Sequence, residues 1–123
     1  MNRLVGIWDY NVDKDILQWD AKMCQIFGTG SEPIKGNIEM FTRLIHPEDL
    51  ERVTEEVYKT IDGGVIQYDC TYRVVKPDGE EALVHAWGSM FEHDGDRCLI
   101  GACDEVTERN YVMKELMRLR DEN

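Results

Sequence analysis

Apolar and polar residues alternate through Tyr68, Cys70, Tyr72 and Val74, the period of a half-buried strand, and the run ends at Lys76-Pro77-Asp78-Gly79. Proline presets φ for that turn, and glycine accepts the positive φ that closes it. A second apolar run, 82–91, stops at Glu92-His93-Asp94-Gly95-Asp96, and a third, 98–103, has the short continuous apolar character of a sheet centre. Nearer the start, Gly6 to Val12 predicts a strand with Trp8, Tyr10 and Val12 on one face. The turn Asp13-Lys14-Asp15 leads to a second strand through Leu17 and Trp19. Between these two groups of strands the period changes to that of helices. Asp20 can cap a helix whose apolar face is Met23, Cys24, Ile26 and Phe27, with Gly28 as its stop. Residues 29–36 read as a loop with one extended pair around Ile34. Asn37 can cap a short helix carrying Ile38, Phe41, Leu44 and Ile45, and Pro47 opens another with Glu48 and Asp49 at its positive end. Leu50, Val53, Val57 and Ile61 form one face of that helix, which stops at Asp62-Gly63-Gly64. Two strands, a cluster of helices, three strands and a final helix make an α+β order: a five-stranded antiparallel sheet with short helices on one face.

The final helix, expected from Thr107 to Asn123, carries Val112, Leu116 and Leu119 at spacings of four and three, the seam of a two-helix interface. Lys114, Glu115, Arg118 and Arg120 would flank it, and a homodimer is the expectation.

Length and charge narrow the function. A chain of 123 residues fits one domain. A net charge of −11 disfavours nucleic acid, which needs a basic surface to release counterions, and disfavours anionic membrane surfaces. No apolar run approaches the ~20 residues of a membrane span, and Met-Asn-Arg-Leu-Val lacks the apolar core of a secretory signal, so a cytoplasmic location is expected. Cys24, Cys70, Cys98 and Cys103 are widely spaced with no Cys-x-x-Cys, and three fall in apolar or alternating strand patterns; buried reduced thiols are expected, not a disulfide or metal framework.

Candidates for catalysis are sparse. His46 precedes Pro47 at a helix start and reads as a cap, His85 lies alone on a strand, and His93 sits in a turn. The pairs Glu55-Glu56 and Glu80-Glu81 cannot converge on one substrate atom from adjacent positions. Gly63-Gly64 follows a helix instead of opening one, so no phosphate loop is present. The chain reads as a non-enzymatic binding module with no metal site.

One family brings these features together. Tyr72-Arg73-Val74, Pro77-Asp78-Gly79, Gly101 and Val106-Thr107-Glu108-Arg109 resemble the C-terminal half of a PAS domain, a sensor module common in bacterial signalling proteins. Glu105 and Val106 stand where that family's signature usually has Asp and Ile. Gly6-Ile7-Trp8-Asp9-Tyr10, Trp19-Asp20, Ile26-Phe27-Gly28 and His46-Pro47-Glu48-Asp49 resemble the front half of the subfamily with a His-Pro-acidic-acidic helix start. The resemblance implies a sensor core over residues 1–105 and a signalling linker helix over 106–123. Its pocket would draw on Trp8, Tyr10, Trp19, Tyr72 and Trp87 from the strands, and on Phe27, Phe41, Leu44 and Val57 from the helices. Glu105, Thr107 and Arg109 would form the hinge, Glu105 holding the helix start and Arg109 pairing with a nearby acid. Covalent flavin is disfavoured because Lys22-Met23-Cys24-Gln25 does not match the reactive-cysteine motif. Haem is disfavoured because the helix from Pro47 to Ile61 carries no histidine. A noncovalent flavin stacked on Trp8, Trp19, Tyr72 or Trp87 stays open, with aromatic core packing preferred. The implied function is a cytoplasmic sensory or relay module of a multidomain bacterial histidine kinase or diguanylate cyclase, coupling a small ligand or partner to a linked output domain. The alternative is a dimerisation scaffold without a ligand.

Overall fold

The computed structural model describes residues 4–65 and 67–121. Strands β1 (Val5–Asn11) and β2 (Ile16–Trp19) form a hairpin, followed by helix α1 (Ala21–Phe27), strand β3 (Ile34–Gly36) and helices α2 (Ile38–Thr42) and α3 (Leu50–Asp62). Strands β4 (Gln67–Val75), β5 (Glu81–His93) and β6 (Asp96–Glu105) follow, and helix α4 (Glu108–Asp121) comes last. The strands make one antiparallel sheet in the order β3-β2-β1-β6-β5-β4. The last strand in sequence therefore runs through the middle of the sheet, between β1 and β5.

The expected α+β architecture is present, with three local corrections. The sheet has six strands among the described residues, because Ile34 and its neighbours pair with Leu17–Trp19 as a short edge strand. Helix α2 ends at Thr42, short of Leu44 and Ile45, because the backbone there is drawn to β4: Val75 N–H donates to Leu44 O at 2.7 Å and His46 N–H to Arg73 O at 2.9 Å. Helix α3 begins at Leu50, three residues after Pro47, and its first-turn acid is Glu51. The Asp49 side chain makes no capping bond because Arg73 occupies it, while His46 Nδ1 accepts the Glu48 N–H at 3.1 Å.

Helices α1, α2 and α3 cover the face of the sheet to which Trp8, Trp19, Tyr72 and Leu99 point, and Phe27, Val53 and Val84 are sealed between the layers. Trp8 lies on a floor made by Gly88 and Gly101, which are paired across β5 and β6. A Cβ on Gly101 would collide with the carbonyl oxygen of Trp87 and lie 2.6 Å from the Trp8 ring, so only glycine permits this approach.

Candidate functional site

Strand alternation gathers a ring of aromatic groups under the helices. Of the expected pocket residues, Trp8, Tyr10, Trp19, Phe41, Val57 and Tyr72 line an interior cavity of about 40 Å³. Leu17, Met23, Ile38, Tyr68, Ala86 and Leu99 complete its wall. Tyr68 sits on the same alternation as Tyr72, and Met23 on the apolar face of α1, so the signal for both was present in the pattern. Leu99 and Ala86 are visible only once β5 and β6 are placed beside β1.

Three expected pocket residues lie elsewhere. Phe27 is fully enclosed behind the wall, 4.6 Å from the Trp19 ring centroid and 6.4 Å from that of Phe41. Leu44 lines a separate, open cleft outside α2. Trp87 is on the opposite face of the sheet, with its ring centroid 5.0 Å from that of His85. Register explains this: inward-facing Trp8 pairs with Gly101 and Gly101 with Gly88, so Trp87, the residue before Gly88 in β5, must point outward. His85 shares that outer face, where its Nε2 lies 3.0 Å from Asp69 Oδ1.

The cavity wall contains phenols but no charged side chain. Burial, reinforced by Asp15, pushes the Tyr10 hydroxyl well above its ordinary range; burial does the same at Tyr68 and Tyr72. All three stay protonated and can donate. Tyr10 Oη donates to Asp15 Oδ1 at 2.9 Å, and the Tyr68 hydroxyl is engaged with the Cys70 thiol. Tyr72 is 2% exposed, and it lines the cavity with its ring centroid 5.7 Å from that of Phe41. A cavity of about 40 Å³ holds roughly three waters. Drug-sized ligands occupy ~300–1,000 Å³, so a flavin ring or porphyrin does not fit between these walls as they stand.

Two connections leave the cavity. Trp8 Nε1 donates to Ala102 O of β6 at 2.9 Å, which ties the cavity wall to the strand that feeds α4. At the expected hinge, Lys76 Nζ lies 3.8 Å from Glu105 Oε1, and Val106 N–H donates to Leu83 O at 2.7 Å. Thr107 is exposed, and the side chain of Arg109 falls outside the described residues. The expected seam residues Val112, Leu116 and Leu119 are 49%, 56% and 49% exposed, beside Met113 and Met117.

The second connection is the His-Pro-acidic-acidic segment. Asp49 Oδ2 accepts the backbone N–H of Arg73 at 2.8 Å and its Nε at 3.1 Å, while Oδ1 accepts Nη2 at 2.8 Å. These bonds, led by the guanidinium, hold the Asp49 carboxyl down at about 2. The clamp fastens the start of α3, which carries Val57, to the strand that carries Tyr72.

Cys24, Cys70, Cys98 and Cys103 are free and buried. No group of His, Cys, Asp or Glu among the described residues is arranged to hold a metal ion. No helix among them is long and apolar enough to cross a membrane.

The family model described as the PAS fold matches residues 16–103. A comparison with curated proteins found no match. Among solved structures, a sensory box histidine kinase/response regulator from Burkholderia thailandensis E264 is similar, with TM-score 0.72 and 22% identity over 98% of this chain and 90% of that one. The N-terminal domain of a diguanylate cyclase with PAS/PAC sensor from Marinobacter aquaeolei also has TM-score 0.72, with 21% identity over 83% of this chain and 94% of that one. The PAS domain of a protein from Colwellia psychrerythraea has TM-score 0.57 and 15% identity, over 80% of this chain and 84% of that one.

Proposed function

This chain belongs to the PAS fold family, and on that premise we propose that it is a cytoplasmic sensory or relay module of a multidomain bacterial signalling protein, without catalysis of its own. Residues 1–105 form the sensor core and 106–123 the linker to an output domain of kinase or diguanylate cyclase type. The observation that carries this reading is the bond from Trp8 to Ala102 O, because Trp8 faces the cavity and β6 continues through Glu105 into α4. An event that tilts the indole moves its acceptor on the central strand, within a few residues of the helix start. Such an event shifts the output only if ligand or partner binds the two arrangements with different affinity. Hydrogen exchange tests the coupling: Trp8→Phe, which keeps an aromatic side chain of smaller size and deletes the donor, should change protection at 98–106 and along α4. Unchanged exchange beyond Ala102 would sink it.

A second reading, a dimerisation scaffold without a ligand, is favoured by the small cavity together with the exposed apolar residues of α4. It predicts self-association through α4 and no response of that helix to changes at the cavity.

A further inference from the structure

Helix α2 forms one part of the helical side of the cavity, beside Met23 of α1 and Val57 of α3. Ile38 and Phe41 of α2 line the cavity, while Met40 and the flanking Asn37, Arg43 and Leu44 line, with Thr29 and Gly36, an open cleft of about 350 Å³. At 100° per residue Met40 is turned away from Ile38 and Phe41 onto the adjoining face of the helix. None of the five α2 residues is buried. Its C-terminal end is held to β4 through Leu44 and His46, and its start through Asp15. Asp15 Oδ1 accepts Ile38 N–H at 3.1 Å and the Tyr10 hydroxyl at 2.9 Å, so one carboxylate oxygen latches α2 to the cavity wall.

Size decides what such a site can bind usefully. A molecule confined to about 40 Å³ has roughly two or three heavy atoms, and at the best efficiency per atom it binds no tighter than about millimolar. A tighter ligand must displace a wall, and α2 is a wall that also borders the open cleft. Chemistry decides the class. The lining has no charge to offset the desolvation of an ion, and Tyr72 places on it a hydroxyl, a donor whose deprotonation burial opposes.

We propose that the cavity and the cleft become one site when α2 swings outward, and that this site takes a neutral, single-ring-sized apolar molecule with one hydrogen-bond acceptor, received by Tyr72. This rests on the sensor-module reading and gives its pocket a ligand class.

The test uses acetophenone, ethylbenzene and benzoate as probes: neutral with an acceptor, neutral without one, and charged. In a Trp87→Phe background, tryptophan fluorescence reports from Trp8 and Trp19, which line the cavity. Amide NMR shifts report on Ile38–Thr42. Acetophenone should perturb both, ethylbenzene should bind about five-fold more weakly for want of the hydrogen bond, and benzoate should not bind. Tyr72→Phe should erase the preference for acetophenone over ethylbenzene. Asp15→Gly tolerates the positive φ of 53° found there and removes the latch, so it should speed acetophenone association. The proposal is overturned if no probe perturbs these signals, if benzoate binds as tightly as acetophenone, if Tyr72→Phe leaves the preference intact, or if Asp15→Gly leaves the association rate unchanged. None of these outcomes touches the Trp8→Phe exchange experiment, so failure here is distinguishable from failure of the relay.

Discussion

Replacing Asp49 by asparagine keeps the size of the side chain and removes the charge that holds Arg73. The carboxyl is held from its usual 3.8 down to about 2, chiefly by the Arg73 side chain, and Asp49 is itself buried. At ~1.4 kcal/mol per pH unit that shift corresponds to roughly 2.5 kcal/mol. Arg73 is 40% exposed, so water screens part of the attraction and about 1.5 kcal/mol is the working figure. For a domain of this size that is about 5–8 °C in Tm. The sign follows from the direction of the shift. A carboxylate whose folded pKa is depressed contributes stability above its unfolded value, near 4, and loses it as pH falls through about 2. Urea unfolding of the parent and Asp49→Asn should therefore differ by about 1.5 kcal/mol at pH 7, with the gap closing between about pH 5 and pH 2. A variant within ~0.3 kcal/mol of the parent at pH 7 would refute the clamp as a source of stability. A gap that stays constant down to pH 2 would refute its electrostatic origin.

Further outcomes follow from single contacts. Gly101→Ala should cost about 3 kcal/mol in urea unfolding, because the new methyl meets the Trp87 carbonyl and the Trp8 ring; full stability would mean that the floor under Trp8 can yield. Tyr72→Phe should change stability by no more than about 1 kcal/mol, since the deleted hydroxyl lies on the wall of the cavity, which has no charged group. A loss larger than that would reveal a partner for it. Leu116→Asp should lower self-association in sedimentation equilibrium without moving Tm, because Leu116 is 56% exposed on α4; a fall in Tm would place that side chain in the monomer's own packing.

Local physics was enough for much of this protein. The alternation of Tyr68, Cys70, Tyr72 and Val74 predicted both the strand and its buried face, and all four side chains are buried. Asp20 caps α1 by accepting the Met23 N–H at 2.8 Å, and Gly28 ends it with φ of 74°, as capping chemistry alone required. The same local information left two faces open for an aromatic residue on β5, because a period of two says nothing about which parity is inward. Pairing in register with β1 and β6 decided that for Trp87 and sent it outward. Tertiary pairing also overrode local preference at 44–46, where the backbone joined β4 in place of extending α2, and at Asp49, whose carboxylate serves Arg73 in place of the helix start. The size of the cavity was likewise beyond the sequence. It is the small remainder left between side chains from strands and helices far apart in the chain, and only their packing sets it.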